Sequence, residues 1–125
     1  MKYICVIAGG GIGAVLRYAT AQGIQSVWSK PFPLGTLFVN TAGASLIGFF
    51  FTLFETFAVP AGLRLFVITG FLGGYTTFST YSLETLRLFT EGNVKQGLLN
   101  ALLNNGICVL CTLLGITIGK LFSAK

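Results

Sequence analysis

The stretch Thr69-Gly70-Phe71-Leu72-Gly73-Gly74-Tyr75-Thr76-Thr77-Phe78-Ser79-Thr80-Tyr81-Ser82-Leu83-Glu84 decides how the rest of the chain is read. It lies within an apolar run from Leu63 to about Phe89, longer than the roughly 20 residues that cross a bilayer. Yet seven Ser, Thr or Tyr residues fall between Tyr75 and Ser82. Irregular backbone survives in hydrocarbon only where it is buried in protein or lines a cavity. The doublet Gly73-Gly74 therefore predicts a helix broken near its middle. Such a break frees carbonyls at one new end and amides at the other, groups suited to a cation and an anion respectively.

Three further apolar runs flank this one: Tyr3 to Val27, Leu34 to Phe57, and Val94 to Phe122. Trp28-Ser29-Lys30-Pro31-Phe32-Pro33 reads as an interfacial loop, Val59-Pro60-Ala61-Gly62 and Glu91-Gly92-Asn93 as turns. The expectation is an all-α membrane protein, residues 1–125 forming one domain of four transmembrane helices. Composition agrees: the 125 residues are 54% hydrophobic and 9% charged, where a soluble domain carries about 25% charged residues. Small residues recur four apart, at Gly9 and Gly13, Ala44 and Gly48, Gly115 and Gly119, a spacing that lets membrane helices approach closely. Four short helices enclose little interior, so self-association is expected.

The charges do not orient the chain. Lys2, Arg64, Lys120 and Lys125 fall on one side of a four-span layout; Lys30, Arg87 and Lys95, with Arg17 if it reaches that edge, fall on the other. The positive-inside rule then has almost no bias to act on. Copies inserted both ways, pairing as an antiparallel homodimer, are the expectation. The basic residues are scattered singly, so nucleic acid is not an expected partner. With no His and no Asp, and no nucleophile–base pair or metal cluster, the chain does not read as an enzyme. Cys5, Cys108 and Cys111 read as small apolar residues.

Within the decisive stretch, Phe78 and Tyr81 share a helix face, as do Tyr81 and Glu84. Aromatic rings have positive edges, so a pair presented edge-on can coordinate a dehydrated anion; simple filling of helix contacts is the alternative. Ser79, Thr80 and Ser82 add hydroxyls beside them. Asn40, mid-way along the second run, is either glue between helices or a donor on a pathway. Asn100 and Asn104, one turn apart and followed by Asn105, read as glue. Glu84 is the one acid placed inside the membrane, with a local pair to Arg87 as its alternative. Arg17 either reaches out to the interface or draws anions into a vestibule. Gly9-Gly10-Gly11-Ile12-Gly13-Ala14 imitates a dinucleotide fingerprint, but no acidic residue follows at about 20 positions, and helix packing explains it better.

The sequence resembles the Fluc family of small dual-topology fluoride channels over essentially its whole length. The likeness is carried by Gly9 to Tyr18 (GGGIGAVLRY), Gly35 to Asn40 (GTLFVN) and above all Gly70 to Glu84 (GFLGGYTTFSTYSLE). The resemblance implies an antiparallel homodimer in the cell (inner) membrane with two pores, passing fluoride passively out of the cytoplasm. It implies that Asn40 donates to fluoride, that Phe78 and Tyr81 form the aromatic lining, and that Ser79, Thr80 and Glu84 form a polar track opposite. Arg17 matches a vestibule arginine. Carbonyls of Gly73 and Thr76 would hold a structural sodium ion at the dimer interface. One position departs: the family commonly has Phe where this chain has Tyr81.

The competing function is a small proton-coupled multidrug exporter using Glu84. That class carries its essential Glu in the first span, where this chain has none. A membrane scaffold that transports nothing would account for the glycines but not for the clustered hydroxyls.

Overall fold

A computed structural model describes residues 1–124, and every regular element among them is helical. Helix α1 runs Lys2–Val27, α2 Leu34–Thr56 and α6 Val94–Ser123, and these three are long and apolar enough to cross a bilayer. Between α2 and α6 the helical path is divided into α3 (Ala61–Arg64), a π-helical segment Leu65–Leu72, α4 (Gly73–Tyr75) and α5 (Phe78–Thr90).

The turns follow from local chemistry. Gln25 organises the loop after α1: its Nε2 donates to the carbonyls of Trp28, Lys30 and Phe32 at 3.3, 3.4 and 3.4 Å. Its Oε1 accepts from the Gly35 amide at 3.3 Å, meeting one of the donors that the first turn of α2 leaves free. Pro60 opens α3, and Arg64 pairs with Glu55 across the α2–α3 turn. After α5 the chain reverses at Gly92, φ +82°, a left-handed conformation that glycine adopts without strain. There the Gly92 amide bonds the Phe89 carbonyl and the Asn93 amide the Leu88 carbonyl, closing α5 with a Schellman motif.

Two seams hold the helices together. On α1, Gly9 and Gly13 lie against the π-helical segment so closely that a Cβ would strike the carbonyl oxygens of Phe66 and Phe71. Gly70 and Gly74 answer them from the other side, against Val6 and Gly10. The second seam, the most extensive in the molecule, joins α2 to α6. Gly48 faces the Thr112 carbonyl there, and Gly115 faces the Ser45 carbonyl. The four-residue spacings thus mark real contacts, which in lipid depend on close packing because there is no hydrophobic drive between helices.

The doublet Gly73-Gly74 is itself helical; the residues that leave the helix are Thr76 (φ −91°, ψ 159°) and Thr77 (φ −149°, ψ 116°). The physical reason is that Gly74 is needed for contact: a Cβ there would lie 2.6 Å from the Gly10 oxygen. The most enclosed side chains are Val39, Leu72 and Asn100, while Tyr3, Ile7, Val15, Leu102, Val109 and Leu121 are exposed. A single copy buries a small core and turns most of its apolar surface outward.

Candidate functional site

The site is built around Thr77. Thr77 is extended at the head of α5, so its amide has no helical partner and in an apolar setting must be met. Asn40 meets it, and also bonds the carbonyl that opens α5. Its Oδ1 accepts from the Thr77 amide at 2.8 Å and its Nδ2 donates to the Thr77 carbonyl at 3.1 Å. The second N–H of that amide goes to Asn104 Oδ1 at 2.9 Å. Asn104 Nδ2 donates onward to Asn100, at 2.8 Å to the side-chain oxygen and 3.1 Å to the carbonyl. Asn100 Nδ2 donates to Thr85 Oγ1 at 2.9 Å, and Thr85 to the Tyr81 carbonyl at 2.8 Å. The direction of every bond is fixed, because the sequence ends on a carbonyl that can only accept.

Thr77 also caps α5. Its Oγ1 accepts from the Thr80 amide at 3.1 Å and donates to Thr80 Oγ1 at 3.0 Å, and Ser79 Oγ stands 3.3 Å away. These contacts explain part of the crowding of seven hydroxyl-bearing residues into Tyr75 to Ser82: Thr77 Oγ1 takes the place of a helical acceptor for the Thr80 amide, and the Thr76 hydroxyl adds a second bond, at 3.1 Å, to a Leu72 carbonyl that the Thr76 amide already meets.

Two cavities meet at Thr77. The first, about 460 Å³, lies between α1, α2 and α5 and is lined by Arg17, Gln22, Thr36, Thr80, Glu84 and Arg87 among others. Arg17 is held there by its Nε, which donates to the Gly74 carbonyl at 3.0 Å. Glu84 Oε1 accepts from Thr36 Oγ1 at 2.8 Å, and Oε2 is buried without a partner among the described residues. The second cavity, about 290 Å³, is lined by Asn40, Gly73, Thr76, Phe78, Tyr81, Asn104, Asn105 and Cys108 among others. Its aromatic wall is Phe78 and Tyr81, with centroids 5.2 Å apart and planes at 63°, so that one ring turns its edge to the other.

The family model described as CrcB-like protein, Camphor Resistance (CrcB), matches residues 4–116. This chain belongs to that family. A relative from Hydrogenobaculum sp. is 44% identical over 122 residues, 97% of this chain and 99% of the relative. One from Magnetococcus marinus is 43% identical over the same length and the same shares. A third, from Aquifex aeolicus, is 44% identical over 116 residues, 92% of this chain and 94% of the relative. All three carry the name fluoride-specific ion channel FluC.

Within this CrcB-family chain, the residues singled out in the sequence divide between the two cavities. Asn40, Gly73, Thr76, Phe78 and Tyr81 line one; Arg17, Thr80 and Glu84 line the other; Ser79 is exposed beside Thr77. Glu84 bonds Thr36, and among the described residues the ion pair is Arg64 with Glu55, not Glu84 with Arg87. Thr77, Asn104 and Asn105 were not picked out as pathway residues. The one-turn spacing of Asn100 and Asn104 marked a shared helix face; nothing in the sequence tied that face to Asn40, which is 64 positions from Asn104.

Proposed function

We propose that this chain is a fluoride channel, not an enzyme, giving passive fluoride efflux from the cytoplasm. The relatives' names support the channel over a proton-coupled exporter. The observation that carries the reading is a continuous polar track through an otherwise apolar chain: Arg17, Thr36, Thr80 and Glu84 in one cavity, then Thr77, then Asn40, Phe78, Tyr81 and Asn104 in the next. Fluoride is small and strongly hydrated, so it needs converging donors that replace water one by one. The Arg17 guanidinium, held on the Gly74 carbonyl, raises the local anion concentration at the mouth. Hydroxyls of Thr36, Ser79 and Thr80 can turn either donor or lone pair towards the ion. The positive edges of Phe78 and Tyr81 supply the aromatic section. Both N–H groups of Asn40 are bonded within the protein, so its donation to fluoride requires exchange of the Asn104 oxygen for the ion.

In this reading the Ala61–Thr90 region is the fourth membrane crossing, broken at Thr76 and Thr77. Two copies assemble antiparallel in the cell membrane, giving two pores per dimer. The near balance of Lys and Arg between the two sides supports insertion both ways. The exposed apolar faces of a single copy support contact with lipid and with a second chain.

A sodium ion between the copies fits the residues present. The Thr77 amide is turned to Asn40 and the Thr80 amide to Thr77, so the carbonyls of Gly73 and Thr76 lack the helical donors they would otherwise meet. Two carbonyls from each copy would hold it. A cation there would supply fixed positive charge beside the anion path.

Fluoride efflux from proteoliposomes, read by an electrode with chloride in parallel, tests the function. Fast fluoride release without chloride is expected; silence from a folded, monodisperse protein would overturn it. Ala124→Cys in a background without Cys5, Cys108 and Cys111 tests topology. Labelling from both membrane faces is expected, and labelling from one face only would remove the antiparallel arrangement.

A further inference from the structure

Tyr81 carries a hydroxyl whose proton has no acceptor among the described residues, although the residue is only 8% exposed. Its oxygen accepts from Asn105 Nδ2 at 2.8 Å. The direction of that bond does not depend on how the amide is drawn. The same Nδ2 donates to the Ala101 carbonyl at 2.8 Å, and turning the amide over would set two oxygens against each other. Asn105 is therefore held as a donor, and Tyr81 must be the acceptor. A phenol oxygen that accepts from Asn105 has one O–H left to give. Tyr81, Asn105, Asn40 and Asn104 line the same cavity, where both Asn40 N–H groups are already engaged.

The geometry points to Tyr81 as an anion-binding donor in this cavity, through its O–H rather than only its ring edge, with Asn105 as the residue that aims it. This rests on the channel reading above and deepens it by naming a specificity-determining group. An O–H held at one point favours a small, hard acceptor. Fluoride accepts a short, charge-assisted hydrogen bond there, and chloride, larger and a weaker acceptor, does so poorly. Accepting from Asn105 also polarises the Tyr81 hydroxyl and makes its proton a better donor.

The test is the fluoride dependence of efflux for the native chain, Tyr81→Phe, Asn105→Leu and the double variant, each first checked as monodisperse. Tyr81→Phe keeps the ring and removes the proton. Asn105 is exposed, so Asn105→Leu removes the aiming donor without opening a core cavity and serves even if Tyr81→Phe does not fold. Each single change is expected to raise the half-saturating fluoride concentration roughly tenfold, the loss of about one hydrogen bond to an ion, with a smaller effect on maximal rate. The double variant is expected to match the singles, because the two residues act as one unit. Unchanged half-saturation in both singles, or effects that multiply in the double, would overturn the assignment. Silence of the native chain would instead overturn the channel reading itself.

Discussion

The two sides of Thr76 and Thr77 are held in place by different physics. Upstream, Leu65 to Tyr75 lies on α1 through backbone contact, with Gly9, Gly13, Gly70 and Gly74 removing the side chains that would keep the two apart. Downstream, Phe78 to Thr90 is tied to α6 through side-chain amides and hydroxyls: Asn100 to Thr85, and Asn105 to Tyr81. The first contact is backbone against backbone, with no side chain that can rotate away. The second is a set of directed hydrogen bonds beside a cavity. A rigid half thus anchors the chain, and a polar half presents exchangeable donors and acceptors to whatever enters.

Breaking the rigid half should have the largest effect. Gly13→Val would drive a branched side chain into the Phe71 carbonyl and the Tyr75 amide, where the obstacle is backbone and cannot rotate away. Overpacking typically costs about 1–3 kcal/mol, and an obstacle of rigid backbone puts this change at the upper end. The expected outcome is loss of monodisperse protein on gel filtration in mild detergent. Recovery of normal amounts of folded protein would mean that α1 slides freely on the Leu65–Leu72 segment.

Breaking the polar half at its centre should spare assembly and stop transport. Asn40→Ala leaves the Thr77 amide without a partner, worth about 1–3 kcal/mol when buried and unmet, and takes one of two donors from its carbonyl. Fluoride flux is expected to fall at least a hundredfold while the protein elutes normally, with a lowered midpoint of thermal unfolding. If flux survives, Asn40 neither donates to the ion nor holds the path open.

That clamp marks the limit of what could be read from the chain alone. The helical runs were legible because apolar length and small-residue spacing are local properties, and their ends agree with α1, α2 and α6 to within a residue or so. The position of the non-helical residues was not. A glycine doublet signals either freedom or proximity, and here Gly74 serves proximity to Gly10. The residues that do leave the helix are β-branched threonines, kept extended by an asparagine 37 positions away. A side chain from another helix sets that geometry, and no local pattern carries it. Likewise the spacing placed Phe78 and Tyr81 on one face, but only the fold sets Asn105 on the Tyr81 oxygen.

Phe78→Ile sharpens the comparison at the cavity wall. Phe78 is 74% exposed in a single copy, so the change should cost stability only about the 0.5–1.5 kcal/mol of its edge-to-face contact with Tyr81. Flux should nonetheless drop roughly fivefold, the loss of a ring edge worth about 1 kcal/mol of anion contact. Undiminished flux would remove the aromatic section from the ion path and leave the hydroxyls and Asn40 to carry it.

The smallest effects probe the outer face of the same helices. Gly11 on α1 and Gly106 on α6 have nothing within 4 Å of where a Cβ would stand, unlike Gly9 or Gly115. Alanine there fits the helix and should stabilise a lone chain by about 0.5–1 kcal/mol. A second copy seated closely on either helix would reverse that sign, because the added methyl would meet its backbone. Gly11→Ala and Gly106→Ala, each followed by thermal unfolding in detergent, therefore locate the contact between copies. The helix whose alanine lowers the midpoint lies at the interface, and the one whose alanine raises it faces lipid.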